Sequence, residues 1–317
     1  MNDWNIGALS AAPGTKTRGF LPVPGTPVQM PITLINGVKS GKTAVITGGT
    51  HGGEYVGIET SIRLAQNLTP DQVSGRIAIV HPVNTPAFFA KLQYVGPYDG
   101  LNLNREYPGK ATGTVSQRIA HTISSKLFSQ ADVYFDLHGG DLHEALTPFV
   151  IVSTLGSKEQ NAFSLTLAKA LGIKYICLSA SANGTFGCAA EMGVAGFLGE
   201  IGGCGLWDET SVGVYYEGVA NSLRAAGILA GEVSDNPCAI TLEKMIGLNS
   251  AHEGCWYPAV SIDSSVAKGQ KLGEVRDCFG QILEEVFASE DGPILYVASS
   301  LSVCVGDPLA AIGKPAI

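Results

Sequence analysis

The stretch Thr43-Ala-Val-Ile-Thr-Gly-Gly-Thr-His-Gly-Gly-Glu54 decides the reading of this chain. Thr43–Thr47 is a short apolar, β-branched run and predicts a buried strand. Gly48-Gly49 ends it and Gly52-Gly53 follow at once, so His51 and Glu54 fall on a tight turn at the strand's carboxyl end. Open α/β sheets bind their ligands at that end. The glycines let the backbone bend enough to aim both side chains at one point. Tyr55–Leu68 then predicts a helix with Ile58, Ile62, Leu64, Ala65 and Leu68 on one side. Imidazole and carboxylate are ordinary zinc ligands, and two His plus one Glu with an open position is a catalytic zinc set. His-x-x-Glu supplies two of the three. Alone it recurs by chance, and a loop histidine is more often a surface residue, so the case rests on the rest of the chain.

Working outward, Arg76–His81 predicts a second buried strand, followed by a long irregular stretch, Val83–Gly113, of a length that usually carries function. Thr114–Phe128 predicts a helix, Val133–Leu137 a third strand and Pro148–Ser153 a fourth. Lys158–Leu171 predicts a helix, Lys174–Leu178 and Gly196–Glu200 strands, and Asp208–Leu229 a largely helical segment. This alternation predicts an α/β fold with a mostly parallel central sheet flanked by helices. Residues 1–42, rich in Gly, Pro and Thr, read as edge strands and loops. Near residue 235 the texture changes: Gly231–Pro237 reads as a linker, and beyond it the strands are short and the turns frequent. We expect a catalytic domain over 1–235 and a small all-β barrel or sandwich over 236–317.

Composition narrows the function class. The chain has 317 residues, 45% hydrophobic and 15% charged, enough for a substantial core. Its net charge is −8 and it carries no basic stripe, which argues against nucleic acid or an anionic membrane surface as partner. The seven cysteines are scattered, with no Cys-x-x-Cys pair, and read as reduced thiols of a cytoplasmic protein. The start has no signal-peptide pattern, and no run reaches the roughly 18 apolar residues of a membrane span.

The later strands repeat the arrangement of the first. Val133–Leu137 ends in His138, again followed by two glycines, which makes His138 the natural third ligand. Gly196–Leu198 leads to Glu200, a carboxylate at the mouth of an apolar strand. Partial burial there would raise its pKa and suit it to general-base work; a helix cap or surface charge is the plainer explanation. In the long loop, Asn104-Arg105 stand in a weakly charged region, and a guanidinium fork grips a carboxylate at two points. A structural Arg105 paired with Glu106 or Asp99 is the alternative. His81, His121, His143 and His252 read as structural or rim residues.

Four ordered motifs carry a resemblance: Gly49-Thr-His51-Gly-Gly-Glu54, Asn102-Leu-Asn104-Arg105-Glu-Tyr-Pro-Gly, Asp136-Leu-His138-Gly-Gly and Gly199-Glu200-Ile-Gly. In order and rough spacing the chain resembles the succinylglutamate desuccinylase/aspartoacylase family, within the wider zinc carboxypeptidase-like fold. The resemblance covers essentially the whole chain, the small β domain included. It implies that His51, Glu54 and His138 hold one Zn²⁺, that Glu200 takes a proton from the attacking water and returns it to the leaving amine, and that Arg105 with Asn104 holds a substrate carboxylate. Asp136 is a candidate to orient His138. Many relatives carry an arginine shortly before the Asn-Arg motif, where it helps stabilise the oxyanion. Here no arginine lies between Arg76 and Arg105, and Tyr94, Gln93 or Lys91 would have to substitute. Tyr94 is the substrate-contacting candidate among them.

The expected activity is therefore zinc-dependent hydrolysis of the amide bond in a small N-acylated amino acid, nearer in layout to relatives that deacetylate acylated diamino acids. A zinc carboxypeptidase acting on a peptide or cell-wall fragment is the first rival, and a catalytically silent metal-binding protein the second. The sequence is compatible with a homo-oligomer and fixes neither its size nor the acyl group.

Overall fold

The computed structural model describes residues 2–234 and 236–316. An N-terminal hairpin, β1 (Trp4–Ile6) and β2 (Leu9–Ala11), leads into β3 (Thr15–Pro22) and β4 (Gln29–Asn36). The central elements follow: β5 (Lys39–Gly48), α1 (Tyr55–Asn67), β6 (Ser74–Val80), α2 (Thr85–Ala90), α3 (Val115–Lys126), β7 (Val133–His138), β8 (Glu144–Leu146), β9 (Phe149–Ser153), α4 (Lys158–Ala170), β10 (Tyr175–Ser179), α5 (Thr185–Glu191), β11 (Ala195–Glu200) and α6 (Glu209–Ala225). From residue 240 every further element is a strand: β12 (Ile240–Asn249), β13 (Gly254–Pro258), β14 (Ser265–Val266), β15 (Lys271–Arg276), β16 (Ile282–Phe287), β17 (Gly292–Ala298), β18 (Ser302–Val303) and β19 (Pro308–Pro315).

The principal sheet runs β14-β17-β19-β12-β10-β9-β11-β7-β5-β6-β4-β3, with β8 added beside β17. Its middle, β11-β7-β5-β6, is parallel. β7 is buried at every position, which explains its unbroken apolar reading. Phe135 of β7 stacks on Phe197 of β11 with ring centroids 4.6 Å apart, inside the core that α1, α4 and α6 cover. A second core lies on the opposite face, under α3 and the N-terminal strands, with Trp4, Met30, Phe128 and Tyr134.

The C-terminal part is all β, but it does not sit apart from the sheet. β12 pairs in parallel with β10 and antiparallel with β19, so the sheet runs on through it. The four-stranded antiparallel sheet β16-β15-β13-β18 is separate and packs over a core that includes Trp256, Leu272 and Val275. Residue 235, at the boundary expected from sequence, lies outside the described residues. We propose that the division at 235/236 marks a change of architecture without a break in the sheet.

The long stretch 83–113 is less irregular than its composition suggests. It contains α2, whose N-cap Asn84 accepts a bond from the Ala87 amide, and a single 3₁₀ turn at Leu103–Arg105. The glycines of the first turn also act differently from expectation. Gly49, at φ 76°, supplies the backbone bend. Gly52 and Gly53 supply room: a Cβ at Gly52 would stand 2.4 Å from the Ala87 carbonyl carbon, and one at Gly53 2.0 Å from Asp141 Oδ1.

Gly57 does the same for the helix. A Cβ there would meet Leu137 O at 2.2 Å, so α1 lies hard against β7. That approach brings the helix's N-cap residue, Glu54, next to the last residue of β7, His138. Gly57→Ala must push helix and strand apart, and we expect it to cost about 1–3 kcal/mol, read as a lower denaturation midpoint.

Candidate active site and metal centre

Three strand ends of the parallel sheet converge. β5 delivers His51 and Glu54 through its glycine turn, β7 ends on His138, and β11 ends on Glu200, which pairs in register with His138. His51, Glu54 and His138 are all buried, and each offers one ligand atom within 4.8 Å of the others. His51 Nδ1 lies 2.6 Å from Glu54 Oε1, and His138 Nδ1 lies 3.0 Å from Glu54 Oε2. Glu54 makes no capping bond to α1. Its Oε2 is buried and, apart from this approach of His138 Nδ1, has no partner among the described residues. A carboxylate buried between two imidazoles with no other donor in reach is costly to keep charged. One carboxylate and two imidazoles with an open side form the donor set of a catalytic divalent metal, so the residues fit a zinc ion.

The far nitrogen of each imidazole is held from behind. His138 Nε2 is 2.9 Å from Asp136 Oδ2, and His51 Nε2 is 3.0 Å from Asn102 Oδ1. Such contacts fix the tautomer and turn Nδ1 toward the metal position. Asp136 is fully enclosed, with Thr47 Oγ1 donating at 2.7 Å and Thr185 Oγ1 donating to Oδ2. Burial pushes the Asp136 carboxyl upward, but His138 and the two threonines outweigh it and hold the acid below the usual range. Glu54 is likewise pushed up by burial and pulled down further by His138 and His51. His138 is disfavoured as a cation by burial, yet Asp136 and Glu54 raise it well above the ordinary imidazole value. Metal binding at such a set releases a proton.

Glu200 is raised well above the ordinary carboxylate range, first by burial and further by Glu54, Glu144 and Asp136, against the pull of His138. It keeps a partial opening to solvent at the rim of this dense surrounding. Tyr94 adopts a left-handed backbone (φ 55°) and lays its ring edge-on to His51, centroids 5.7 Å apart. Its amide donates to Asp141 Oδ2 at 2.8 Å and its hydroxyl to Glu144 Oε1 at 2.5 Å. Asn104 is buried, with Oδ1 accepting from the Thr185 amide at 2.9 Å, which leaves its NH₂ as the available donor. Arg105 is exposed and bonds only Asn104 O among the described residues, at 3.4 Å, so no contact joins it to the metal cluster. Of the candidates to replace the arginine, Tyr94 and Gln93 line a cavity that also exposes Glu144, whereas Lys91 faces an outer groove with Phe88 and Trp207.

The sequence reading missed several groups. Asn102 stood inside a quoted motif without a role. Asp141 and Glu144 follow His138 closely, and two acids in a glycine-rich loop beside a ligand were the available signal. Thr185 carried none, because its contact with Asp136 depends on how α5 packs behind β7. Of the histidines read as structural, His81 bonds Thr33 Oγ1 at 3.0 Å, and burial pushes its imidazole down to about 4.

The profile of the Succinylglutamate desuccinylase/Aspartoacylase catalytic domain matches residues 40–226. The chain belongs to that family. A relative from Halomonas elongata, an N-alpha-acetyl-L-2,4-diaminobutyric acid deacetylase, is 33% identical over 297 residues, which are 90% of this chain and 86% of that one. Among solved structures, the product-bound ectoine utilization protein EutE (DoeB) from Ruegeria pomeroyi has a TM-score of 0.86 at 30% identity, covering 94% of this chain and 95% of that one. A succinylglutamate desuccinylase from a Silicibacter species has a TM-score of 0.85 at 30% identity, covering 95% of both chains. Within this family frame, Asp136→Asn tests the support behind His138. We expect metal affinity to fall about 10–100-fold in a chelator competition; an unchanged affinity would detach Asp136 from the ligand geometry.

Proposed function

We propose that this protein hydrolyses the amide bond of a small N-acylated amino acid, with a divalent metal, zinc, held by His51, Glu54 and His138. The observation that carries the reading is the convergence of these three buried side chains, with each Glu54 oxygen facing an imidazole nitrogen and Glu200 beside His138 on the next strand. A zinc ion bound there supplies Lewis acidity toward an amide carbonyl and makes water a better nucleophile at neutral pH. Family membership and the deacetylase name of the Halomonas relative support the substrate class, and that name favours an N-acetyl diamino acid.

The chain's own residues divide the remaining work. Glu200, with a raised affinity for protons, accepts one from the attacking water and delivers it to the leaving amine. Arg105 takes the substrate's carboxylate, with the free NH₂ of Asn104 as a second donor. Tyr94, beside His51 and lining the cavity, contacts the substrate where relatives place an arginine. The thiols take no part in this scheme, and all seven cysteines are free.

Purified protein loaded with zinc should release amine from N-acetyl or N-succinyl amino acids, and a chelator should abolish the release. Release from short peptides alone would favour a carboxypeptidase instead. Glu200→Gln should retain zinc while kcat falls by roughly 10²–10⁴; unaltered turnover would remove Glu200 from the mechanism.

A further inference from the structure

A cavity of about 240 Å³ opens between the catalytic part and the C-terminal strands, and Tyr94, one of its lining residues, lies against the ligand His51. Its lining includes Tyr94, His143, Glu144, Ser300 and Asp307, and it contains no lysine or arginine. Asp307 is occupied in a turn, where Oδ2 accepts from the Cys304 amide at 2.8 Å. Glu144 is different. Oε1 accepts from Tyr94, and Oε2 has no hydrogen bond to any described residue.

The backbone under Glu144 is firmly fixed. Glu144 pairs with Ala298 of β17, and its carbonyl accepts from the Cys204 amide at 2.9 Å. Gly140 and Gly203 press on the same carbonyl so closely that a Cβ on either would stand 2.4 and 2.1 Å from it. The carboxylate is thus presented to the cavity from a rigid support, with Tyr94 connecting it to His51. The surroundings are strongly negative. Glu54, Asp136, Asp141, Glu144 and Glu200 act on one another, and the basic groups acting on them are His51 and His138. Burial and the neighbouring acids raise the proton affinity of Asp141 and Glu144 as well, and neither carboxyl has a basic partner of its own among the described residues.

We propose that Glu144 is a specificity-determining residue that receives a cationic group on the substrate's side chain, so that the enzyme selects N-acyl amino acids carrying a free ammonium over neutral or acidic ones. The proposal rests on the deacylase reading above and deepens it. An ammonium entering the cavity meets the open oxygen of Glu144 and relieves the mutual repulsion of the acids. A second carboxylate on the substrate side chain would add to that repulsion.

The test compares kcat/KM for N-α-acetyl-2,4-diaminobutyrate, the isosteric neutral N-acetylnorvaline and N-acetylaspartate, all on zinc-loaded protein. The wild type should favour the cationic substrate over both others. In Glu144→Gln the cationic-to-neutral ratio should fall on the order of 100-fold, mainly through KM, and Glu144→Asp should keep most of it. Parallel losses on all three substrates would make Glu144 merely structural, and equal wild-type activity on the first two would overturn the selection outright. Should Glu144→Gln fail to fold, inhibition of the wild type by free 2,4-diaminobutyrate against norvaline decides the matter: stronger inhibition by the diamine supports the proposal, and equal inhibition refutes it. Absence of deacylation on any N-acyl amino acid would refute the deacylase reading itself, and the selector with it.

Discussion

A carboxylate buried between two imidazoles is the constraint from which this site follows. Taking Glu54 out of water costs several kcal/mol unless opposite charge or hydrogen bonds compensate it. The chain brings compensation from two separate strands, with His51 on the β5 turn and His138 at the end of β7. His138 would stand farther from Glu54 if α1 lay at an ordinary distance from β7. The missing side chain at Gly57 is therefore as much a part of the centre as the three ligands.

Support spreads outward from that contact in layers. Asp136 holds His138 and is held in turn by Thr47 and Thr185, from the neighbouring strand and from the start of α5. Asn102 holds His51, and its Oδ1 also accepts from the Asn104 amide, while the Asn104 side chain accepts from Thr185. The two supporting chains thus meet at Thr185. This closed circuit ties the long loop to the strand ends, and it restricts the freedom of both imidazoles before any ligand arrives.

Much of this was legible in the sequence, for a physical reason. Strands buried on both faces are apolar throughout, so β5 and β7 stand out, and glycines mark where they stop. Asn104 and Arg105 could be singled out as rare polar groups in a bland region, but their surroundings could not. α2 was hidden because six residues, Thr85–Ala90, are too few to display a period, although Asn84 and Pro86 were readable as its start. Glu144 and Thr185 matter through contacts with residues about 50 positions away, at Tyr94 and Asp136, and no local pattern encodes such a meeting. The same holds for β12: its strand character is local, but its pairing with β10 is tertiary.

That shared strand has a mechanical consequence. A hinge between the catalytic part and the C-terminal strands would have to tear the ladders that β12 makes with β10 and β17 makes with β8. These ladders resist a hinge between the two parts, and the cavity wall at residues 298–308 is carried by strands of the same sheet system. A substrate side chain placed between Tyr94 and the 298–308 wall then meets a space whose walls the sheet ties together, and length rather than flexibility of the protein decides which side chains fit.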